Sequence, residues 1–309
     1  MPSGRQGSIH LFRYSGIDVF LHWSWFLIAV FEIKAGRGTS HGYTSIGWNV
    51  VEYLALFAIV LMHEFGHALA CRQVGGIADH IVLWPLGGVA YVNPPPRPGA
   101  TLWSIAAGPL VNVTLFPILF ALYALSQRLG WPATQPNAAH LIYWLLWING
   151  GLLVFNILPI FPLDGGQILR ALLWFPLGRG RSLMIATLLG FVGVAAFLFF
   201  AFRSGSLWIG AIAIFMLLNC WGGLKHSLFL MKIAKLPRRA GLECPECKST
   251  PPLGDFWRCA NCGTGFDTFA TMGTCPSCGS RFEVTRCLDC GRMSLIGKWY
   301  ANVPEVIRV

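Results

Sequence analysis

The sequence predicts an all-α polytopic membrane protein that ends in a small cysteine-rich domain. Of its 309 residues, 55% are hydrophobic and 12% are charged, whereas a typical soluble domain has about 25% charged residues. The mean hydropathy is +0.58. Eight of the ten cysteines lie after residue 240, beyond the apolar part of the chain. We therefore expect a membrane domain over residues 1–240 and a separate domain over residues 241–309.

Six apolar stretches are long enough to cross a bilayer, which takes about 20 helical residues. They cover residues 17–34, 48–71, 101–126, 139–161, 183–202 and 207–229. A seventh stretch, residues 81–92, is too short to span and contains Pro85, Gly87 and Gly88. We expect it to form a β-hairpin that dips into the membrane, where non-helical backbone is tolerated only under a cover of protein or water.

The Lys and Arg residues predict how the spans are oriented. With the N-terminus in the cytoplasm, twelve of these residues near the spans fall on the cytoplasmic side and four fall outside. Cytoplasmic loops are enriched in Lys and Arg, so we expect both termini and the cysteine-rich domain in the cytoplasm. These juxtamembrane charges also account for most of the net charge of +10. Nucleic acid is therefore not expected as a partner.

The most informative motif is H-E-x-x-H over residues 63–67, inside the second predicted span. On a helix this spacing places His63 and His67 on one face, where both imidazoles can hold one zinc ion. Glu64 lies beside them and can act as a general base. Ionisable groups at bilayer depth are costly and are therefore candidates for function.

Asp164 is the candidate third ligand of that metal. A catalytic zinc site uses three protein ligands and keeps one position open. Asp164 follows the fourth predicted span, after two helix-breaking prolines, Pro159 and Pro162, and before two glycines. The predicted topology brings Asp164 and the H-E-x-x-H motif to the same cytoplasmic half of the membrane, so one metal ion can be shared.

Four C-x-x-C pairs in the tail predict structural zinc sites. A C-x-x-C turn supplies two thiolates, and two such turns complete a four-cysteine site. Eight thiols in a cytoplasmic tail favour zinc over disulfides. We expect sequential pairing into two zinc ribbons, with interleaved pairing as the alternative. The first ribbon would hold Cys244, Cys247, Cys259 and Cys262, and the second Cys275, Cys278, Cys287 and Cys290.

H-E-x-x-H in one span and N-x-x-P-x-x-P-L-D-G-G in a later one together resemble the site-2 protease family of intramembrane zinc metalloproteases. The second motif covers residues 156–166. Residues 16–24, 86–89 and 108–112 are similar to the family's opening span, membrane hairpin and third span. The resemblance covers about residues 10–235 and implies a compact member with a different accessory domain.

The resemblance implies a role for each motif residue. His63, His67 and Asp164 would hold the catalytic zinc, and Glu64 would move a proton from water to the leaving amide nitrogen. Asn156 would donate a hydrogen bond to the developing oxyanion or position the substrate. An amide bond between helices is the alternative for Asn156.

Asn112, Gly87 and Gly88 are further candidates for substrate binding on the same resemblance. The expected function is zinc-dependent hydrolysis of peptide bonds within or near transmembrane segments of membrane-tethered proteins, as part of regulated proteolysis in a prokaryotic plasma membrane. Three zinc ions are expected, one catalytic and two structural. A cytoplasmic protein partner is expected for the ribbons, which would position substrate without taking part in bond cleavage. The alternative is a catalytically silent adaptor that binds transmembrane helices.

Overall fold

Five long helices form the membrane domain in the part of the chain that the structure, a computed structural model, describes: residues 7–26, 43–84 and 87–300. All five are long and apolar enough to cross a membrane. They are α1 Ile46–Gln73, α2 Pro98–Arg128, α3 Pro136–Ile157, α4 Asp164–Ser204 and α5 Leu207–Ala234. The prediction of a polytopic helical membrane protein is confirmed.

Helix α4 consists of two helical segments that meet at Gly178. The backbone there has φ 78° and ψ 171°, a conformation that suits glycine because it has no Cβ. The first segment begins at Asp164 and carries the second half of the predicted site. The predicted fifth span, residues 183–202, lies in the second segment, which packs along α5. The chain thus places Asp164 on a short helical segment within the bundle.

The first predicted span, residues 17–34, is wrong at its beginning, because residues 17–22 form a β-strand. Residues 27–34 lie outside the described residues. A four-stranded sheet has the order β1 to β4, with strands Ser8–Tyr14, Ile17–His22, Ile77–Trp84 and Gly87–Asn93. Strands β2 and β3 are parallel, whereas β3 and β4 form the predicted hairpin. The hairpin is therefore the outer half of a larger sheet.

The sheet packs against the C-terminal half of α1. Ile17, Val19 and Ile81 are fully buried beside Ala68 and Cys71 of the helix. Alternating inward residues on β2 suit a half-buried strand, where successive side chains point to opposite faces.

Arg72 ties the end of α1 to this sheet. Its guanidinium donates to the carbonyls of Ala78, Ser15 and Gly16. The helix that carries the H-E-x-x-H motif is thus fixed to the sheet at its end.

The cysteine-rich tail forms two small hairpins and a short 3₁₀ helix. Strands β5 Trp257–Arg258 and β6 Gly265–Phe266 pair, as do β7 Val284–Arg286 and β8 Met293–Leu295, and residues Ile296–Tyr300 follow as the 3₁₀ helix. Trp257, Phe269 and Trp299 form its aromatic core. The amide of Glu243 donates to the carbonyl of Trp299 at 3.2 Å, so the two ends of the tail lie side by side.

Candidate metal centre and catalytic groups

The two histidines of the H-E-x-x-H motif face each other on α1. Their Nε2 atoms are 3.1 Å apart, and both side chains are buried, with about one-twentieth of each residue's surface exposed. Residues four apart lie on the same face of a helix, which accounts for the arrangement. Their convergence creates a buried pair of nitrogen ligands inside the bundle.

Asp164 completes the cluster from the N-terminus of α4. Its Oδ2 atom lies 3.0 Å from His63 Nε2 and 3.3 Å from His67 Nε2. The chain folds back tightly before this residue, and glycines permit it. A Cβ on Gly165 would lie 2.2 Å from the carbonyl oxygen of Ile157. The predicted partnership of Asp164 with the H-E-x-x-H motif is therefore present in the geometry.

Hydrogen bonds fix which nitrogen of each histidine faces the cluster. His63 Nδ1 donates to Asn112 Oδ1 at 2.6 Å, and His67 Nδ1 donates to the carbonyl of Ser104 at 2.9 Å. Because each Nδ1 carries the proton, each Nε2 keeps a lone pair directed at Asp164. Histidine ligands of metals are typically held this way. The donor set thus fits a metal ion before one is bound.

Asn149 fixes the orientation of Asn112 and was missed by the sequence analysis. Asn112 Nδ2 donates to Asn149 Oδ1 at 2.8 Å, and Asn149 Nδ2 donates to the carbonyl of Asn112 at 3.0 Å. Both side chains are fully buried. A polar residue in the middle of an apolar span was the signal that could have identified Asn149.

Gly108 leaves the space in which the three ligands converge. A Cβ at this position would lie 2.2 Å from His67 Nε2 and 2.8 Å from His63 Nε2. Real Cβ atoms do not approach other heavy atoms so closely, so any side chain here would displace a ligand. Helix α2 therefore leaves room for the candidate ligands at Gly108. It also orients His63 through the hydrogen bond with Asn112.

Glu64 is held by the sheet. It is buried, and its Oε2 accepts a hydrogen bond from the backbone amide of Ala90 in β4 at 2.8 Å. Glu64 follows His63 directly on α1, so its carboxylate is near the ligand cluster without belonging to it. Strand β4 thus fixes the orientation of the candidate general base.

The other predicted residues lie in different surroundings. Asn156 is half-buried near the end of α3, and within the described part of the chain its side-chain amide forms no hydrogen bond. Gly87 and Gly88 pair with Trp84 and Leu83 across the β3–β4 hairpin. The geometry therefore joins neither Asn156 nor these glycines to the ligand cluster.

The cysteine pairing is nested, and the predicted sequential pairing is wrong. The outer cluster joins the first and last C-x-x-C turns, and the inner cluster joins the second and third. The outer residues are Cys244, Cys247, Cys287 and Cys290, and the inner residues are Cys259, Cys262, Cys275 and Cys278. The two ends of the tail lie side by side, which brings the outermost turns together.

Each cysteine cluster has the dimensions of a zinc site. Sulfur–sulfur distances are 3.7 and 3.8 Å in the outer cluster and 3.6 Å for two pairs in the inner one. Tetrahedral zinc with metal–sulfur bonds of about 2.3 Å separates its sulfurs by about 3.8 Å. All eight cysteines could therefore serve as ligands of two ions.

The chain is similar in sequence to known proteins. The sequence model of peptidase family M50 matches residues 51–135 and 131–200. A zinc metalloprotease of Methanocaldococcus jannaschii is 38% identical over 183 residues, covering 59% of this chain and 50% of that protein. Stage IV sporulation protein FB of Bacillus subtilis is 31% identical over 146 residues, covering 45% of this chain and 46% of that protein.

A solved structure shows the same fold. The site-2 protease from Methanocaldococcus jannaschii matches with a TM-score of 0.50 at 28% identity, covering 70% of this chain and 95% of that one. Fold and site together define an integral membrane protein in which two histidines and one aspartate are placed so that they could hold a metal ion. The chain belongs to peptidase family M50, as the resemblance in its motifs predicted. It spans about half the length of the curated relatives that it matches, and the family match ends at residue 200, before the tail.

Proposed function

We propose that this protein hydrolyses peptide bonds within or near the transmembrane segments of membrane-tethered proteins, using zinc held by His63, His67 and Asp164. The observation that carries the proposal is the convergence of these three ligands beside Glu64, inside helices that can span a membrane. When bound, zinc supplies a Lewis acid that activates water for attack and polarises the scissile carbonyl.

Glu64 acts as the general base and then as the general acid. Its carboxylate accepts a proton from the attacking water and delivers it to the leaving amide nitrogen. The hydrogen bond from Ala90 holds one carboxylate oxygen and leaves the other for this transfer. A base with a fixed orientation avoids the cost of reorganising at the moment of reaction.

Asn112 and Asn156 have different roles in this proposal. The Asn112 amide is committed to His63 and Asn149, so it positions a metal ligand and does not bind substrate. Asn156 remains a candidate for binding the substrate carbonyl, because its amide has no hydrogen-bond partner among the described residues. Gly87 and Gly88 remain candidates for contact with an extended substrate backbone.

The substrate must be locally unwound at the site. A regular helix uses its own carbonyls in intrahelical hydrogen bonds and shields them from attack. We propose substrates whose transmembrane segment unwinds easily, cleaved as part of regulated proteolysis. We also propose that the tail and both termini lie in the cytoplasm of a prokaryotic cell, and the excess of Lys and Arg on one side of the spans supports this orientation.

The test is a cleavage assay of the full chain in liposomes with a membrane-spanning peptide. Mass spectrometry of the products should place the cut within or at the edge of the spanning segment, and a zinc chelator should abolish it. An adaptor would bind the peptide without cutting it. Binding without cleavage in zinc-loaded protein would therefore reject the proposal in favour of the adaptor.

A further inference from the structure

The tail contacts the strand that holds Glu64. Arg292 of the tail donates from Nη2 to the carbonyl of Asn93 at 2.7 Å and to that of Pro94 at 3.2 Å. Asn93 is the last residue of β4. Three residues earlier in the same strand, the Ala90 amide donates to Glu64. One short strand therefore connects the tail with the candidate general base.

The outer cysteine cluster fixes the position of Arg292. The backbone carbonyl of Arg292 accepts a hydrogen bond from the backbone amide of Cys287 at 2.8 Å. This bond closes the turn that carries Cys287 and Cys290. A metal ion bound to these cysteines would hold the turn, and with it the start of the Arg292 side chain.

The same turn is tied to the membrane helices through Asp289. Arg238, just beyond α5, forms two hydrogen bonds with the Asp289 carboxylate, at 2.6 and 3.0 Å. The carbonyl of Asp289 accepts a hydrogen bond from Arg179, which follows the break in α4 at Gly178. The turn is thus anchored to α4 and to the segment just after α5, while Arg292 reaches the strand.

We propose that the outer cysteine site is a metal-dependent brace, and that Arg292 is a positioning residue that keeps β4 in place against Glu64. The proposal rests on the proposed function for its effect on catalysis. The structural part of the proposal, that the zinc-loaded tail orders β4, does not depend on the proposed function. The tail then contributes to the active conformation, in addition to any partner that it binds.

The experiment compares Arg292→Ala with Arg292→Lys and with Arg281→Ala in the full zinc-loaded chain in nanodiscs. Arg281 is an exposed tail arginine whose side chain forms no hydrogen bond in the described structure, so it is the matched control. The first measurement is amide hydrogen exchange over residues 87–94. We expect Arg292→Ala to speed exchange there by about three- to tenfold, the effect of one or two lost hydrogen bonds.

The second measurement is cleavage of a bare transmembrane peptide. We expect Arg292→Ala to lower kcat with little change in KM, because Glu64 loses orientation while substrate binding is kept. Arg292→Lys should restore part of both effects, and Arg281→Ala should match the wild type. Zinc content should be the same in all variants.

The two proposals fail in different ways. Unchanged exchange over residues 87–94 in Arg292→Ala would overturn the brace, as would cleavage equal to that of an active wild type. If exchange rises but the wild-type chain cuts nothing, the ordering of β4 by the tail stands and the proposed function falls.

Discussion

At the residue scale, the candidate site consists of three candidate metal ligands whose neighbours fix the orientation of their side chains. Asn112 and Ser104 hold the Nδ1 atoms of His63 and His67, so that both Nε2 atoms point to Asp164. Partners that orient metal ligands in this way commonly change metal affinity by about 10- to 100-fold when they are removed. Substitutions of the residues that orient the candidate ligands should therefore change metal affinity measurably.

Asn112→Ala should weaken zinc binding in the membrane domain by about 10- to 100-fold, because His63 loses the acceptor that orients it. Competition with a chelator of known affinity measures the change. Thr114→Ala is the control, since among the described residues the Thr114 hydroxyl donates only to the carbonyl of Val111 in its own helix. Equal zinc affinity in both variants would show that Asn112 does not support the ligand.

Gly108→Ala should abolish zinc binding in the membrane domain, because the added Cβ would occupy space 2.2 Å from His67 Nε2. Gly151→Ala provides a matched comparison in α3, where a Cβ would meet no atom of another element within 4 Å in the described part of the chain. Zinc content and cleavage should both survive the second change. A Gly108→Ala protein with full zinc content would contradict the described ligand geometry.

At the element scale, the tail contains four equivalent turns, one at each C-x-x-C pair. In each, the first cysteine's carbonyl accepts from the amide four residues later, at 2.8 to 3.0 Å. Gly263, Gly279 and Gly291 give three of these turns their left-handed residue, and Lys248 takes that place in the first. Because the turns are alike, local sequence does not specify which of them pair, and the packing of the chain ends decides it.

Zinc stoichiometry distinguishes nested from sequential pairing. Cys244→Ser combined with Cys290→Ser damages only the outer cluster, so zinc should fall from three to two ions per chain. Cys244→Ser combined with Cys259→Ser damages both clusters and should leave one. Sequential pairing predicts the opposite counts, one zinc ion for the first double variant and two for the second. That result would contradict the nested arrangement.

The sequence predicted the parts of the site that lie in short motifs. Helical spacing predicts that His63, Glu64 and His67 lie close together. The predicted topology places Asp164 at the same depth in the bundle as these residues. The strand at residues 17–22 was misread as part of a helix, because a hydropathy window measures how apolar a segment is and not whether its inward residues alternate. Asn149 and the nested cysteines depend on contacts between distant parts of the chain, which one sequence does not display.

At the scale of the whole molecule, the tail and the membrane domain are joined by ion pairs. Arg238 binds Asp289, and Arg239 binds Asp267 at 2.7 Å. The pKa of the Asp267 carboxyl is lowered: burial opposes the shift, but the amides of Gly254, Phe269 and Ala270 and the Arg239 guanidinium outweigh it. Its contribution to stability is present above the ordinary aspartate pKa and is lost as the pH falls through the lowered value.

Asp289→Asn should loosen the tail, because the neutral amide cannot accept two charge-assisted hydrogen bonds from Arg238. Limited trypsin digestion measures the effect. The rate of cleavage in the segment 235–239 should rise several-fold. Asp255→Asn changes an exposed tail carboxylate without a hydrogen-bond partner in the described structure and should leave the rate unchanged. Equal rates for both variants would show that the Asp289 ion pair does not hold the tail.

Zinc content and turnover of Glu64→Gln, measured together in liposomes, test the central claim most directly. A general base is needed for proton transfer and not for coordination, so the variant should keep three zinc ions and lose on the order of 10²- to 10⁴-fold in kcat. His67→Ala should lose both the membrane zinc and the activity. Cleavage by Glu64→Gln at close to the wild-type rate would contradict the account.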